Sequence, residues 1–133
     1  MFKIKIKVKG YLKNLTENTE ELFNTDAIKN SNVISYINDK TKYKLIIDNK
    51  VTLLRENNEF SHGMIFECNK NHSSEYYLKE LKYSLEFTIK TIKLNIGKNK
   101  IDITYQVLES ENIYNYVLEM SDNLWVLNKK FKT

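Results

Sequence analysis

The chain has 133 residues, one domain's worth, and a chain of that size buries roughly 70% of its extended surface without covalent staples. Hydrophobic residues make up 41% and aromatics 12%, which excludes intrinsic disorder, and three glycines with no proline exclude a collagen-like or linker protein. The net charge is +4, yet only Arg55 of the 21 basic residues is an arginine, so the forked donors that read phosphates and guanines are missing and a nucleic-acid partner is disfavoured.

Lys, Asn and Ile are abundant and Ala occurs once, at Ala27, a bias that fits a low-G+C genome. No apolar run approaches the roughly 18 residues of a membrane span. The opening MFKIKIKVKG has no continuous apolar stretch, so no secretory signal is expected there. The lone Cys68 cannot close an internal disulfide, and a reduced, cytoplasmic setting is the expectation.

Period two dominates the chain. Phe2, Ile4, Ile6 and Val8 alternate with Lys3, Lys5, Lys7 and Lys9, as in a half-buried strand with a lysine-lined outer face. Residues 19–28 alternate without a cleanly apolar face, so a short helix competes with a strand. Asn30-Ser31-Asn32 reads as a turn, Val33–Ile37 as a short strand and Asn38-Asp39-Lys40 as the next turn.

Lys42–Ile47 and Val51–Glu56 read as a hairpin around Asp48-Asn49. A two-residue loop pairs Ile47 with Lys50 and turns Arg55 outward. A three-residue loop pairs Ile47 with Val51 and aims Arg55 inward with Tyr43 and Leu45. The sequence leaves both registers open. Phe60, His62, Met64, Phe66 and Cys68 then form one apolar face. Residues 72–79 form a further strand.

Tyr83, Leu85, Phe87 and Ile89 share a face, while Ile92, Leu94 and Ile96 run one residue out of phase. That slip predicts a bulge or bend near Lys90-Thr91. Gly97–Lys100 is a turn. Ile101, Ile103, Tyr105 and Val107 alternate along the next strand, and Tyr114, Tyr116, Leu118 and Met120 mark the last. Residues 121–133, with Trp125, Leu127 and Phe131, read as a tail or an extra short strand. The sum is nine or ten antiparallel strands in a single domain over 1–133. That pattern fits a sandwich or an up-and-down barrel, and the long bent strand favours the barrel.

No phosphate loop, G-x-S-x-G, H-E-x-x-H or C-x-x-C occurs, so no enzymatic activity is expected. His62 and Cys68 would lie about 20 Å apart along one strand, too far to share a metal, and Cys68 with His72 alone makes a poor zinc site. No metal or cofactor is expected. Glu20-Glu21 and Glu109/Glu111 read as solvated surface. Tyr83, Tyr105, Tyr114 and Tyr116 follow the apolar parity and read as wall residues, not as stacking platforms for a nucleic acid.

Four pieces in order carry a resemblance: Val51-Thr52-Leu53-Leu54-Arg55, Met64-Ile65-Phe66-Glu67, the pair Tyr76-Tyr77, and Phe87–Leu94. Together with the opening strand and the 100–120 hairpin, this order resembles the YwiB-like bacterial family over roughly residues 2–120. That family is known only as a domain of unknown function. The resemblance implies an all-β, single antiparallel calycin/lipocalin-like barrel of about eight to ten strands, akin in shape to fatty-acid-binding proteins, and no established activity. Two loops depart from the family's glycine-bearing turns, at Glu56-Asn57-Asn58 and at Leu78–Tyr83.

The expected function is binding of a small apolar or amphipathic ligand in the lumen. Arg55, if inward, and His62 are the candidate polar anchors, with Tyr77 as a third candidate. The alternative is a packed, non-enzymatic module that engages a protein or RNA partner through its lysines.

Overall fold

The structure, a computed structural model, describes residues 3–122. Ten strands account for nearly all of it: β1 (Lys3–Asn14), β2 (Thr19–Asn30), β3 (Val33–Asn38), β4 (Thr41–Ile47), β5 (Val51–Glu56), β6 (Phe60–Phe66), β7 (Asn71–Leu78), β8 (Tyr83–Ile96), β9 (Lys100–Val107) and β10 (Ile113–Asp122). Each strand pairs antiparallel with its neighbours in sequence, and β1 pairs with β10, so the sheet closes into an up-and-down barrel. Closure leaves no edge strand along the wall.

Alternation decides which side chains fill the barrel. Ile6, Val8, Ile34, Leu45, Val51, Leu53, Met64, Phe66, Ile89, Ile101, Ile103 and Leu118 are buried to 3% exposure or less, and their sequence neighbours face out. The outward lysines of β1 sit beside acids: Lys5 and Lys7 on Asp26, Lys9 near Glu119 and Lys13 near Glu20.

Among the described residues, the left-handed turn positions are held by residues other than glycine. Asp39 and Lys40 both adopt left-handed backbone between the paired Asn38 and Thr41, the twist a two-residue hairpin loop needs. In the β4–β5 hairpin Ile47 pairs with Val51, so the loop is the three-residue Asp48-Asn49-Lys50, held by the Lys50 N–H on Asp48 Oδ1 at 3.0 Å. That register sets Arg55 opposite Tyr43, on the inner face.

The expected phase slip is present as a register shift between Thr91 and Lys93. Residues 19–28 are strand throughout, so the helical alternative is overturned. Their alternation is blurred because Leu22 faces outward at 65% exposure while Glu21 takes the inward parity at the barrel end, where Tyr43 Oη donates to it at 3.1 Å. Cys68 is not the end of a buried face: β6 stops at Phe66, and Cys68 is exposed in the turn beyond it. Of the expected tail, 121–122 continue β10, and 123–133 lie outside the described residues.

Candidate functional site

One half of the barrel interior is filled by its own aromatics. Phe23 stacks on Tyr36 at 5.0 Å and Tyr36 on Tyr43 at 4.7 Å. Tyr36 and Tyr116 share a hydrogen bond of 2.7 Å between their hydroxyls. Burial, with Glu21 alongside, pushes the Tyr43 phenol up to about 12.

The other half is hollow. A cavity of about 510 Å³ opens toward the end of the barrel that carries the β5–β6, β7–β8 and β9–β10 turns. Its walls come from β5 to β10 and the end of β1: Leu12, Met64, Leu85, Phe87, Ile89 and Val107 are apolar, and Tyr76, Tyr105 and Tyr114 are aromatic. Its volume lies within the usual range for small-molecule sites.

Register explains why Arg55 and His62 meet. Arg55 on β5 pairs with His62 on β6, and His62 pairs with Tyr76 on β7, so all three project inward along one row of the sheet. Arg55 Nη2 lies 2.8 Å from His62 Nδ1. A guanidinium has donors only, so Nδ1 is the acceptor and the ring proton of neutral His62 sits on Nε2. From there Nε2–H donates to Ser74 Oγ at 2.8 Å, and the Ser74 hydroxyl donates to the Gly63 carbonyl at 2.7 Å. Ser74 thereby supplies a bond where the β6–β7 ladder ends, at the Gly63–Glu75 pair.

This chain fixes the electrostatics. Burial first, and the Arg55 charge second, lower the His62 pKa from 6.5 to about 4, so the imidazole is neutral at pH 7. Arg55 is then the only charged group in the cavity wall among the described residues. Among the described residues it forms no ion pair, and its buried Nε has no hydrogen-bond partner. The guanidinium also lies 5.5 Å from the centre of the Phe60 ring. A half-buried cation with an unmet donor, facing an apolar chamber, is costly on its own and has the chemistry to bond an anion.

No family model and no curated protein matches the chain. Among solved structures it is similar to the ywiB protein from Bacillus subtilis, with a TM-score of 0.66 over 90% of this chain and 91% of that one, at 16% identity. The chain has the YwiB fold. At that identity the likeness shows the fold and nothing of an activity.

Within this YwiB-like barrel the three candidate anchors separate. Arg55 and His62 are brought together, but in different roles. Both ring nitrogens of His62 are spent, on Arg55 and Ser74, so His62 orients the guanidinium and offers a ligand no free nitrogen. Tyr77 is corrected outright. It pairs with Ser61 and Ser84, one residue out of step with His62, so it faces away from the lumen; its neighbour Tyr76 lines the cavity instead.

Tyr105 and Tyr114 are wall residues, as their parity predicts, whereas nothing in the sequence marks Ser74. The wall tyrosines have a second property that parity does not reveal. The hydroxyls of Tyr76, Tyr105 and Tyr114 hydrogen-bond no described residue, in contrast to those of Tyr36, Tyr43 and Tyr116. His72 pairs with Glu67 at 3.0 Å, and among the described residues no three His, Cys, Asp or Glu side chains are placed to hold a metal.

Proposed function

We propose that the protein binds a small amphipathic anion in the hollow half of the barrel. The ligand's apolar body fills the chamber between β5 and β10, and its charged head meets Arg55. The reading is carried by the Arg55 guanidinium: among the described residues it has no ion-pair partner, its buried Nε has no hydrogen-bond partner, and the rest of the cavity of about 510 Å³ carries no charge. An unpaired charge in such a place is costly, by several kcal/mol per ion in protein interiors, and a chain that needed only a core would fill the position with an apolar side chain. His62 and Ser74 hold the guanidinium in one orientation, which lowers the entropic cost of meeting the ligand. The single cysteine fits a reducing, cytoplasmic setting for this binding.

Native mass spectrometry of the purified protein, followed by denaturing extraction, tests the reading. The expected result is a small anion retained by wild type and absent from Arg55→Met. Equal occupancy in both proteins would remove Arg55 from the role. A wild type that is empty and also takes up no amphipathic anion at millimolar concentration would overturn lumen binding.

A further inference from the structure

The walls of the hollow half favour one kind of ligand body over another. Two stacked aromatic pairs flank the β8 wall. Tyr105 and Tyr114 stack with centroids 5.2 Å apart and 13° between planes. On the other side Tyr76 stacks on Phe60 at 4.9 Å and 14°, and leans on His62 at 5.0 Å.

Buried or partly buried tyrosine hydroxyls ordinarily find a partner. In the packed half they do: Tyr36 with Tyr116, and Tyr43 with Glu21. In the hollow half Tyr76, Tyr105 and Tyr114 carry three hydroxyls that bond no described residue, although Tyr105 is only 3% exposed. An alkyl chain filling this space would offer these hydroxyls no hydrogen bond. A flat ring gains from the tyrosine faces by offset stacking, and a polar substituent on it can bond the hydroxyls. The charge count is equally specific. One guanidinium, with a neutral imidazole beside it, balances one negative charge, so a carboxylate fits better than a doubly charged phosphate monoester.

We infer that the cavity takes a monoanionic aromatic acid, its carboxylate on Arg55 and its ring, bearing a polar substituent, between the tyrosine walls. This assignment rests on the lumen-binding reading and narrows it to a chemical class.

Isothermal titration of the full chain at pH 7 and low salt, with 6-hydroxy-2-naphthoate and decanoate as probes, tests it. The hydroxynaphthoate is expected to bind about tenfold or more tightly than decanoate. Tyr105→Phe and Tyr114→Phe together are expected to weaken the hydroxynaphthoate about tenfold and to leave decanoate unchanged, since only the former uses the hydroxyls. These variants keep both rings and remove no bond to a described residue, so folding is preserved. Arg55→Met is expected to weaken both probes. Decanoate binding as tightly as the hydroxynaphthoate, or a hydroxynaphthoate affinity indifferent to the tyrosine variants, would overturn the aromatic class. If decanoate binding still depended on Arg55, lumen binding would survive that result. Absence of binding by either probe at millimolar concentration would overturn both.

Discussion

The two halves of the barrel interior draw on the same residue types and finish in opposite states. On one side Phe23, Tyr36, Tyr43 and Tyr116 stack in sequence, and every tyrosine hydroxyl there has a partner. On the other, Tyr76, Tyr105 and Tyr114 surround open space with hydroxyls that bond no described residue, and the one arginine of the chain stands among them with no counter-ion among the described residues. A closed barrel grows wider with strand number, and ten strands enclose more than these side chains fill. The difference separates two jobs: the satisfied half holds the barrel together, and the unsatisfied half is where the proposed ligand would sit.

Glycine substitutions give the sharpest contrast. A Cβ at Gly10 would overlap the Val117 carbonyl oxygen and stand 2.9 Å from the Phe23 ring. A backbone atom of the neighbouring strand cannot step aside, so Gly10→Ala is expected to cost about 3 kcal/mol or more in urea denaturation, or to abolish folding. Gly63→Ala, beside the anchor, meets only the end of the Leu54 side chain at 3.2 Å and is expected to cost less than about 1 kcal/mol. Equal losses would erase the contrast.

Tyrosine-to-phenylalanine variants compare the halves by the same chemistry. Tyr116→Phe breaks the bond to Tyr36 and strands a buried hydroxyl, with an expected loss of about 1–3 kcal/mol. Tyr105→Phe removes a hydroxyl that bonds no described residue and is expected to stay within about 0.5 kcal/mol of wild type in the same assay.

These differences also mark what was legible in the residues. Strand parity, the bend near Lys90-Thr91 and the inward Tyr105, Tyr114 and Tyr116 were open to reading, because each depends on neighbours within one strand; Tyr83 shares their parity but stands at the start of β8, past the end of the core, and is 58% exposed. Three features depend on pairing between strands and were not. Arg55 points inward only because the hairpin loop has three residues instead of two. Tyr76 and Tyr77 are chemically identical, and only the register against His62 shows which one faces the lumen. The strand over 19–28 hides its period because its two faces meet solvent at the barrel end and at an exposed outer leucine. Ser74 closes the chain from Arg55 through His62 to a backbone carbonyl, and a serine in a strand gives no notice of that.

Acid probes the anchor itself. The folded His62 pKa, about 4, lies below the ordinary 6.5, so the unfolded chain binds a proton that the folded one refuses. The neutral imidazole therefore contributes stability that is present in full above about pH 6.5 and is lost as pH falls toward 4. His62→Gln keeps an acceptor for Arg55 and a donor for Ser74 but cannot titrate. Wild type is expected to lose more of its denaturation midpoint between pH 7 and pH 4.5 than this variant does; parallel losses would place the titration elsewhere.

The smallest effect is expected at the anchor's charge itself. Arg55→Met removes an uncompensated charge but strands the His62 Nδ1 acceptor, so the two effects offset and its stability is expected to stay within about 1 kcal/mol of wild type in thermal unfolding without ligand. A large loss would mean that Arg55 is a structural strut.

Arg55 is the single arginine of the chain, so its Nε–H signal in a nitrogen–proton correlation spectrum needs no assignment by mutation. Titrating 6-hydroxy-2-naphthoate into the labelled protein while following that one signal tests the central claim most directly. The account predicts that it shifts and sharpens in step with saturation, as the partnerless donor acquires a carboxylate. A signal that stays in place while resonances elsewhere report binding would show that the ligand sits on another surface and that Arg55 does not receive it.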